Sequence, residues 1–582
     1  MAHQLLINEM TRFSTALLLA LAPASTSTAL LLALAPASTS AVRDGGQCCN
    51  AKAPCGSASS TCVDPTSWCG KAEANCVGKC GKKWCPDAPP APTSIAVNSS
   101  STHSVSEAFI SFTLDASKLH ITASTGHTNE WTKQAGNFSD PAFVNAARLF
   151  APAHYRFGGT SADAMTYDMS SSSARGARSN SDSSLGDIPT ATLTAVLWDE
   201  LNVFAAAANW SVIFGVNALV GLGDDGTGAW DGTNARTLFE YTKAQGHNVV
   251  GWELGNEPDL KNKNLDPAPM DATLLAADFS TFSALLRDVF GATGGGTSAS
   301  PWAIGPDCTK SGVAYASTVI EAIKADDVDV IGWHHYYVAG SGSDVPATDF
   351  ALPSFLNEFT TVAAEYVALY DAFDARRTHK GTAQIWLTET GGAGGSTDAA
   401  KEVTGTFYGA LWYADKLGVA ASNAHSVVLR QEWVEIVHSV EGGGIEVVPG
   451  FWLALMWRRL MGQEVLGVPR DAQAGSLRVY AHRSSSDASA ICAVVINLDD
   501  SGEEVAVPLL FDGINATTLA SEVYTLTAWP LNAGNSATDA ALNGVELALD
   551  AAGNAPAMVP KQRASGPITV PSSSVTFMVF TP

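Results

Sequence analysis

Two short stretches place a glutamate at the end of an otherwise apolar run. W-E-L-G-N-E-P, residues 252–258, closes on Asn256 and Glu257, and W-L-T-E-T, residues 386–390, carries Glu389. A carboxylate at the tip of an apolar strand is costly unless it is paired or used. Two of them facing one cleft are the pair that glycoside hydrolysis requires. One is held protonated for a leaving oxygen, and the other is ionised as nucleophile or base. The alternative, that Glu257 and Glu389 only form salt bridges, is disfavoured because Asn-Glu-Pro on a fourth strand is a specific signal. Glu253, earlier on the same strand, reads as structural.

The elements around them explain how they meet. Eight short β-branched or aromatic runs are expected as strands: 108–115, 153–159, 211–218, 248–255, 301–307, 328–337, 383–390 and 426–433. Helical patterns such as 271–290, 313–325 and 355–375 lie between them. Strand–helix alternation repeated eight times predicts an α/β fold, a (β/α)8 TIM barrel over 105–462, with the active site at the carboxyl ends of its strands. From 463 to 582 the helical period disappears. LRVYAH (477–482), ICAVVINL (491–498), EEVAVPLL (503–510) and SVTFMVF (574–580) predict a C-terminal antiparallel β-sandwich. The stretch 521–566 reads ambiguously.

Composition narrows the partners. In 582 residues, hydrophobic types make up 46% and include 15 Trp, enough for a large core. Acids outnumber bases 57 to 33, a net charge of −24, which argues against nucleic acid and against polyanions at long range. Eight of the ten cysteines fall between Cys48 and Cys85; only Cys308 and Cys492 lie elsewhere. That density, without paired C-x2-C spacing or supporting histidines, favours disulfides over metal in a small N-terminal module, 44–87. Trp68 and Trp84 in it either stack on sugar rings or shield disulfides. Its W-C-G and C-x3-C spacing loosely resembles cystine-rich modules that bind chitin- or cellulose-like glycans. A Pro/Ser linker is expected at 88–104.

The amino terminus carries the repeat TALLLALAPASTS at 15–27 and again at 28–40. Each apolar run is shorter than the about 20 residues that cross a bilayer. Residues 1–40 therefore read as a signal peptide with a duplicated core, against an uncleaved anchor as the alternative. No integral membrane domain is expected. Sequons at Asn98, Asn137, Asn209 and Asn515 fit a secretory route, either extracellular or into a lysosomal or vacuolar lumen.

A resemblance then covers about 105–582. SFTLDA (111–116), YRFGGTSADAMTYD (155–168), GWELGNEPD (251–259), WHHYY (333–337), WLTETGGAGG (386–395), DKLG (415–418), VVLRQ (427–431) and LNGVEL (542–547) resemble the heparanase family, glycoside hydrolase family 79. The resemblance implies a retaining hydrolase of β-linked glucuronides in oligo- or polysaccharides, without metal or cofactor. Glu257 would be the acid/base, Glu389 the nucleophile, Asn256 the partner of the sugar 2-hydroxyl, and Tyr336 the donor to Glu389. Asp115 and Thr160 would contact sugar hydroxyls, and the N–H groups of Gly394 and Gly395 would receive the uronate carboxylate. Arg156, His334, His335 and Arg430, near these tips, read as supports behind the contacts in preference to direct contacts, with His335 also counted among the substrate-binding residues.

The chain also departs from that family. The tyrosine expected near 433–441 is missing, and His438 is the substitute there. Clusters of Arg and Lys that would bind sulfates are absent after Gly-Pro-Asp and after WHHYY, so a weakly sulfated substrate is expected. The segment 169–190 is short where heparanase carries an excised linker, which predicts an active single chain. Two other readings stay open: an idle glycan-binding or cell-wall protein, and a barrel glycosidase for a neutral β-glycoside.

Overall fold

The computed structural model describes residues 94–119, 135–170, 191–219, 228–260, 270–338, 345–394, 398–440 and 444–581, with four short strands at 46–49, 83–86, 184–185 and 188–189. The chain divides into two units, Met1–Pro89 and Pro90–Pro582. In the first, Gly46–Cys49 pairs antiparallel with Lys83–Pro86. The expected signal peptide, the disulfides and the sugar-stacking role of Trp68 and Trp84 lie outside the described residues.

In the second unit the eight anticipated runs close into one parallel barrel: β1 (Ile110–Asp115), β2 (Ala153–Gly158), β3 (Trp210–Val216), β4 (Val249–Leu254), β5 (Trp302–Cys308), β6 (Val330–Val338), β7 (Gln384–Ala393) and β8 (Val427–Arg430). Alternation divides each strand between two cores. Ile213, Val250, Ile304, Val330, Trp386, Val427 and Leu429 fill the barrel interior. His154 stacks on Trp386 there, with ring centroids 5.4 Å apart. The alternate residues, among them Trp252, Trp333 and Val428, face the surrounding helices.

Caps set the helix limits. The Asp271 carboxylate accepts from the N–H groups of Thr273 and Leu274 to start Ala272–Phe290, which ends at Gly291 with φ 92°. Such a cap contributes about 1 kcal/mol. Helix Phe407–Ser422 is buried on every side through Ala421, because it lies between the barrel and the C-terminal sheet. Gly418 permits that packing, since a Cβ there would stand 2.3 Å from the Tyr480 ring. The Asp415 carboxylate on this helix accepts from Arg478 Nη1 at 2.8 Å and from the Tyr480 hydroxyl at 2.6 Å on the sheet.

The C-terminal sheet runs in the order 514–515, 509–511, 95–104, 461–467, 477–484, 491–497, 574–580, 521–529, 539–542, 545–546. One face, with Tyr480, Val494 and Phe577, joins the core of the barrel's helices. The other, with Val479, Val495 and Met578, packs beneath Val507, Leu509, Ile568 and Val570.

Three local expectations change. Residues 95–104 of the expected linker form the strand Ile95–Ser104, paired antiparallel with Met461–Gly467 and parallel with Leu509–Phe511. Ile95 and Val97 alternate into the core there, an apolar signal too short to stand out from the Pro/Ser composition. EEVAVPLL splits at Pro508 into Val505–Ala506 and Leu509–Phe511, since proline has no N–H for a ladder. The eighth strand stops at Arg430, and Trp433 begins the single turn Trp433–Ile436. Most of the 169–190 segment lies outside the described residues. Its flanks, Met165–Asp168 and Ala191–Thr194, run side by side as a parallel pair.

Candidate active site

The carboxyl ends of β2, β4, β5, β6 and β7 bring one charged cluster together. Glu389 stands on β7, which is buried from Ile385 through Gly392. Its Oε2 accepts from Arg156 Nη1 on β2 at 2.7 Å, and its Oε1 accepts from the Tyr336 hydroxyl on β6 at 2.8 Å. Burial alone would raise its pKa. The charges of His334 and Arg156 and the Tyr336 hydrogen bond outweigh that, and the net shift is downward. Burial holds the Tyr336 phenol far above its usual range, so it is a neutral donor.

Glu257 lies just past β4, where the backbone turns through Gly255 (φ 78°) and Glu257 itself (φ 49°). The left-handed conformation of a non-glycine residue is uncommon. Here the Glu257 N–H donates to the carbonyl of Asp307 at 3.1 Å, near the carboxyl end of β5. Glu257 Oε1 lies 3.0 Å from His334 Nδ1. Burial raises the Glu257 pKa, with His334 pulling against it. Burial would lower His334, but the Glu389 charge and the Glu257 hydrogen bond leave it raised. The two groups titrate as a coupled pair, each raised from its ordinary value. One Glu257 oxygen, one Glu389 oxygen and a ring nitrogen of His334 all lie within 4.8 Å of one another.

Arg156 and Glu253 form the floor. Arg156 donates from Nε to Glu253 Oε2 at 2.7 Å and from Nη2 to Asn256 Oδ1 at 3.2 Å. Burial pushes Glu253 up to about 8, opposed by Arg156. Arg156 is therefore a support for Glu389 and Asn256, as expected, and Glu253 serves the arginine. With Asn256 Oδ1 occupied, its amide NH2 is left for a hydroxyl oxygen. The backbone N–H groups of Asn256 and Ala218 both donate to the Asp163 carboxylate, each at 3.2 Å. Burial pushes Asp163 up to about 7. Sequence reading missed Asp163, because one acid inside YRFGGTSADAMTYD gives no sign of what it caps.

Asp115 ends β1, accepting from the Ser117 N–H at 2.8 Å and from Gln431 Nε2 at 3.2 Å. A Cβ on Gly159, whose φ is 95°, would stand 2.5 Å from Asp115 Oδ2, so glycine is required there. Thr160 follows, itself exposed, at the start of the largely buried 3-10 turn Thr160–Ala164. Glu432 accepts from the Asp115 N–H at 2.9 Å and faces Lys118 at 3.4 Å. Burial pushes Glu432 up to about 8, and it also raises Asp115 and Glu435. Neither Glu432 nor Glu435 was singled out, since acids after β8 have no motif of their own.

Four expected residues fall differently. His335 points away from the mouth: it is fully buried, and its Nδ1 lies 3.0 Å from Lys416 Nζ on helix Phe407–Ser422. Pleat alternation sends His334 and Tyr336 inward and His335 outward. The Gly394 N–H donates to the Val338 carbonyl at 2.9 Å, because the β6–β7 ladder runs on past Glu389. Gly395 lies outside the described residues. His438 is exposed on the short strand Val437–Ser439, with Nε2 3.0 Å from the Glu435 carbonyl. Arg430 is also outside the barrel, stacked 4.6 Å from the ring centroids of both Trp412 and Tyr413.

A (β/α)8 barrel with two glutamates, shifted in opposite directions, at the tips of β4 and β7 defines a glycosidase. Residues 93–418 match the N-terminal domain of glycosyl hydrolase family 79, and the chain belongs to that family. Relatives include heparanase-like protein 1 of Arabidopsis thaliana, 29% identical across 75% of this chain and 84% of that protein. Heparanase of Bos taurus is 28% identical across 65% and 71%, and baicalin-beta-D-glucuronidase of Scutellaria baicalensis 28% across 72% and 78%. Among solved structures, a 4-O-alpha-L-rhamnosyl-beta-D-glucuronidase from Fusarium oxysporum superposes over 85% of this chain and 98% of its own, with TM-score 0.57 at 15% identity. An alpha-L-arabinofuranosidase from Thermotoga maritima gives 0.54 at 13% over 84% and 99%. These two share the fold. Among the described residues no helix is long and apolar enough to cross a membrane.

Proposed function

We propose that this glycosidase hydrolyses β-linked glucuronides with retention, Glu389 acting as nucleophile and Glu257 as acid/base. The observation that carries the reading is a pair of carboxylates whose nearest oxygens lie within 4.8 Å and whose pKa values are displaced in opposite directions, Glu257 up by burial and Glu389 down by His334 and Arg156. Retaining pairs stand about 5 Å apart, whereas inverting pairs leave about 6.5–9.5 Å for a water. Glu389 attacks the anomeric carbon as Glu257 gives its proton to the departing oxygen, forming a glycosyl ester. Glu257 then takes a proton from water, whose oxygen attacks the same carbon and releases Glu389 as a carboxylate. Arg156 and Tyr336 keep Glu389 ionised before attack, and the Asn256 amide is placed for the 2-hydroxyl. The glucuronidase and heparanase relatives support a uronide.

We also read the chain as secreted, with a signal at 1–40 and a glycan-binding module at 44–87, and as acting on glycan with little sulfate. The −24 charge supports the last point. So do Lys118 and Lys310, which are engaged with Glu432 and Glu358.

A neutral β-glycoside is the second reading. The Gly394 N–H committed to Val338 and the buried acids Asp115, Glu432 and Glu435 favour it, since they suit hydroxyls better than a carboxylate. Aryl β-glucuronide against aryl β-glucoside decides between them. Faster glucoside turnover sinks the uronide reading, and an α-configured first product by NMR sinks retention.

A further inference from the structure

Asp307 stands one residue before the end of β5, fully buried, and takes no part in the two-glutamate reaction. It is nonetheless built into the site from three sides. Its φ of 53° lies in the left-handed region, as does that of Glu257 at 49°, and the Glu257 N–H ties the two by donating to the Asp307 carbonyl at 3.1 Å. Aspartate tolerates that region better than most residues, but two such residues in contact at one strand rim are held there by their surroundings. Gly332 on β6 makes room for the side chain, since a Cβ there would stand 2.3 Å from Asp307 Oδ1. The hydroxyl of Thr388, one residue before Glu389, donates to the same oxygen. The carboxylate is thus fixed beside β6 by groups from two strands.

What it faces there is His334. Nε2 of that ring lies 3.7 Å from Asp307 Oδ1, while Nδ1 lies 3.0 Å from Glu257 Oε1. The ring is buried, and neither its Nε2 nor Asp307 Oδ2 has a hydrogen-bond partner. At 3.7 Å the contact is an ion pair and not a hydrogen bond. Away from water, charges act strongly across that distance. The other charged groups around the ring are Glu389 on β7, Arg156 on β2 and Glu253 on β4, with Asp259 beyond Glu257. Glu253 and Glu389 are both held by Arg156. Among the described residues Asp307 forms an ion pair with His334 alone. Glu257 changes charge as it gives and recovers its proton, whereas Asp307, walled off from substrate, does not. A carboxylate at Nε2 favours a ring that carries a proton on that nitrogen and turns Nδ1 towards Glu257.

We propose, on the reading of Glu257 as acid/base, that Asp307 is a positioning residue for proton transfer. It holds the His334 ring protonated at Nε2 and, through the ring, keeps the transferable proton on the Glu257–His334 pair.

The test uses the full chain with phenyl and 4-nitrophenyl β-glucuronides, or the matching β-glucosides. Asp307→Asn keeps the shape and the acceptor for Thr388 while removing the charge. A negative charge beside a protonated pair retains its proton, so the falling limb of kcat/KM should move about one unit to lower pH in this variant. Near pH 7 its kcat on the phenyl glycoside should drop roughly tenfold, and on the 4-nitrophenyl glycoside less than about threefold, with KM unchanged. With His334→Asn already present, the same change should move the limb less than half as far. Ring-15N histidine NMR of the wild type, with His334 identified by its loss in His334→Asn, should show Nε2 protonated from pH 5 to 8. A proton on Nδ1 alone, an unmoved limb in Asp307→Asn, or an equal shift with and without His334 overturns the proposal. Glu257→Gln tells the two readings apart. If it loses the falling limb and Asp307→Asn leaves that limb in place, Asp307 is only structural and Glu257 keeps its role. If Glu257→Gln retains the limb, the acid/base reading and the proposal fall together.

Discussion

Arg156 joins Glu389 to Glu253: its Nη1 and Nε each lie 2.7 Å from a carboxylate oxygen, one on β7 and one on β4. The guanidinium therefore sets both the orientation and the ionisation of Glu389. Arg156→Lys cannot span both acids. We expect kcat to fall roughly 10²–10³-fold. The rising limb of kcat/KM should also move to higher pH, because Glu389 loses the Arg156 hydrogen bond that lowers its pKa. An unshifted limb would show that Arg156 acts only on stability.

The two carboxylates set the limbs of a bell-shaped pH profile. Activity should rise as Glu389, lowered, ionises, and fall as Glu257, raised, loses its proton. Glu389→Gln should abolish turnover, on the order of 10⁴-fold or more, while Tm stays near wild type. Glu257→Gln should remove the falling limb and spare substrates with good leaving groups the most. Wild-type hydrolysis by Glu389→Gln would reassign the nucleophile.

Stability should depend on pH in a definite direction. Buried Asp163 at about 7, and Glu253 and Glu432 at about 8, bind protons in the folded chain that the unfolded chain releases near pH 4. Their contribution is therefore lost as pH rises from about 4 to 8. Buried His154, His425 and His482, lowered to about 4, act oppositely, losing their contribution as pH falls below about 6.5. The two sets offset each other between pH 4.5 and 6.5, and the acids act alone above that, so Tm should be flat and then decline towards pH 8. Differential scanning calorimetry from pH 5 to 8 checks this, and Glu432→Gln should reduce the decline.

The adjacent histidines should separate cleanly. His334→Asn removes the proton partner of Glu257 and should shift the falling limb of kcat. His335→Asn removes an acceptor from Lys416 and should lower stability by about 1–3 kcal/mol, with KM unchanged. A raised KM in His335→Asn with unaltered Tm would restore it to the substrate side.

What the sequence made legible follows from periodicity and from motif length. Apolar runs with polar tips defined the barrel and put Glu257, Glu389, Asn256 and Tyr336 where the structure has them. Arg156 looked like a support and is one, though no pattern could reveal that it bridges two acids 97 and 233 residues away. His335 was misread although the parity of His334, His335 and Tyr336 was available. Gly394 could not be judged without knowing that β7 continues to Ala393. Ile95–Ser104 was hidden because its partners, Met461–Gly467 and Leu509–Phe511, all lie far along the chain.

The parallel pairing of Met165–Asp168 with Ala191–Thr194 gives the intervening segment a particular tolerance. A protease cutting between them would leave β1 and β2 on one polypeptide and β3–β8 on the other. The ring of hydrogen bonds would still join β8 to β1 and β2 to β3. The two fragments would co-purify, elute as one particle and separate only in denaturant. Barrel closure thus makes the backbone at that point dispensable to the folded state.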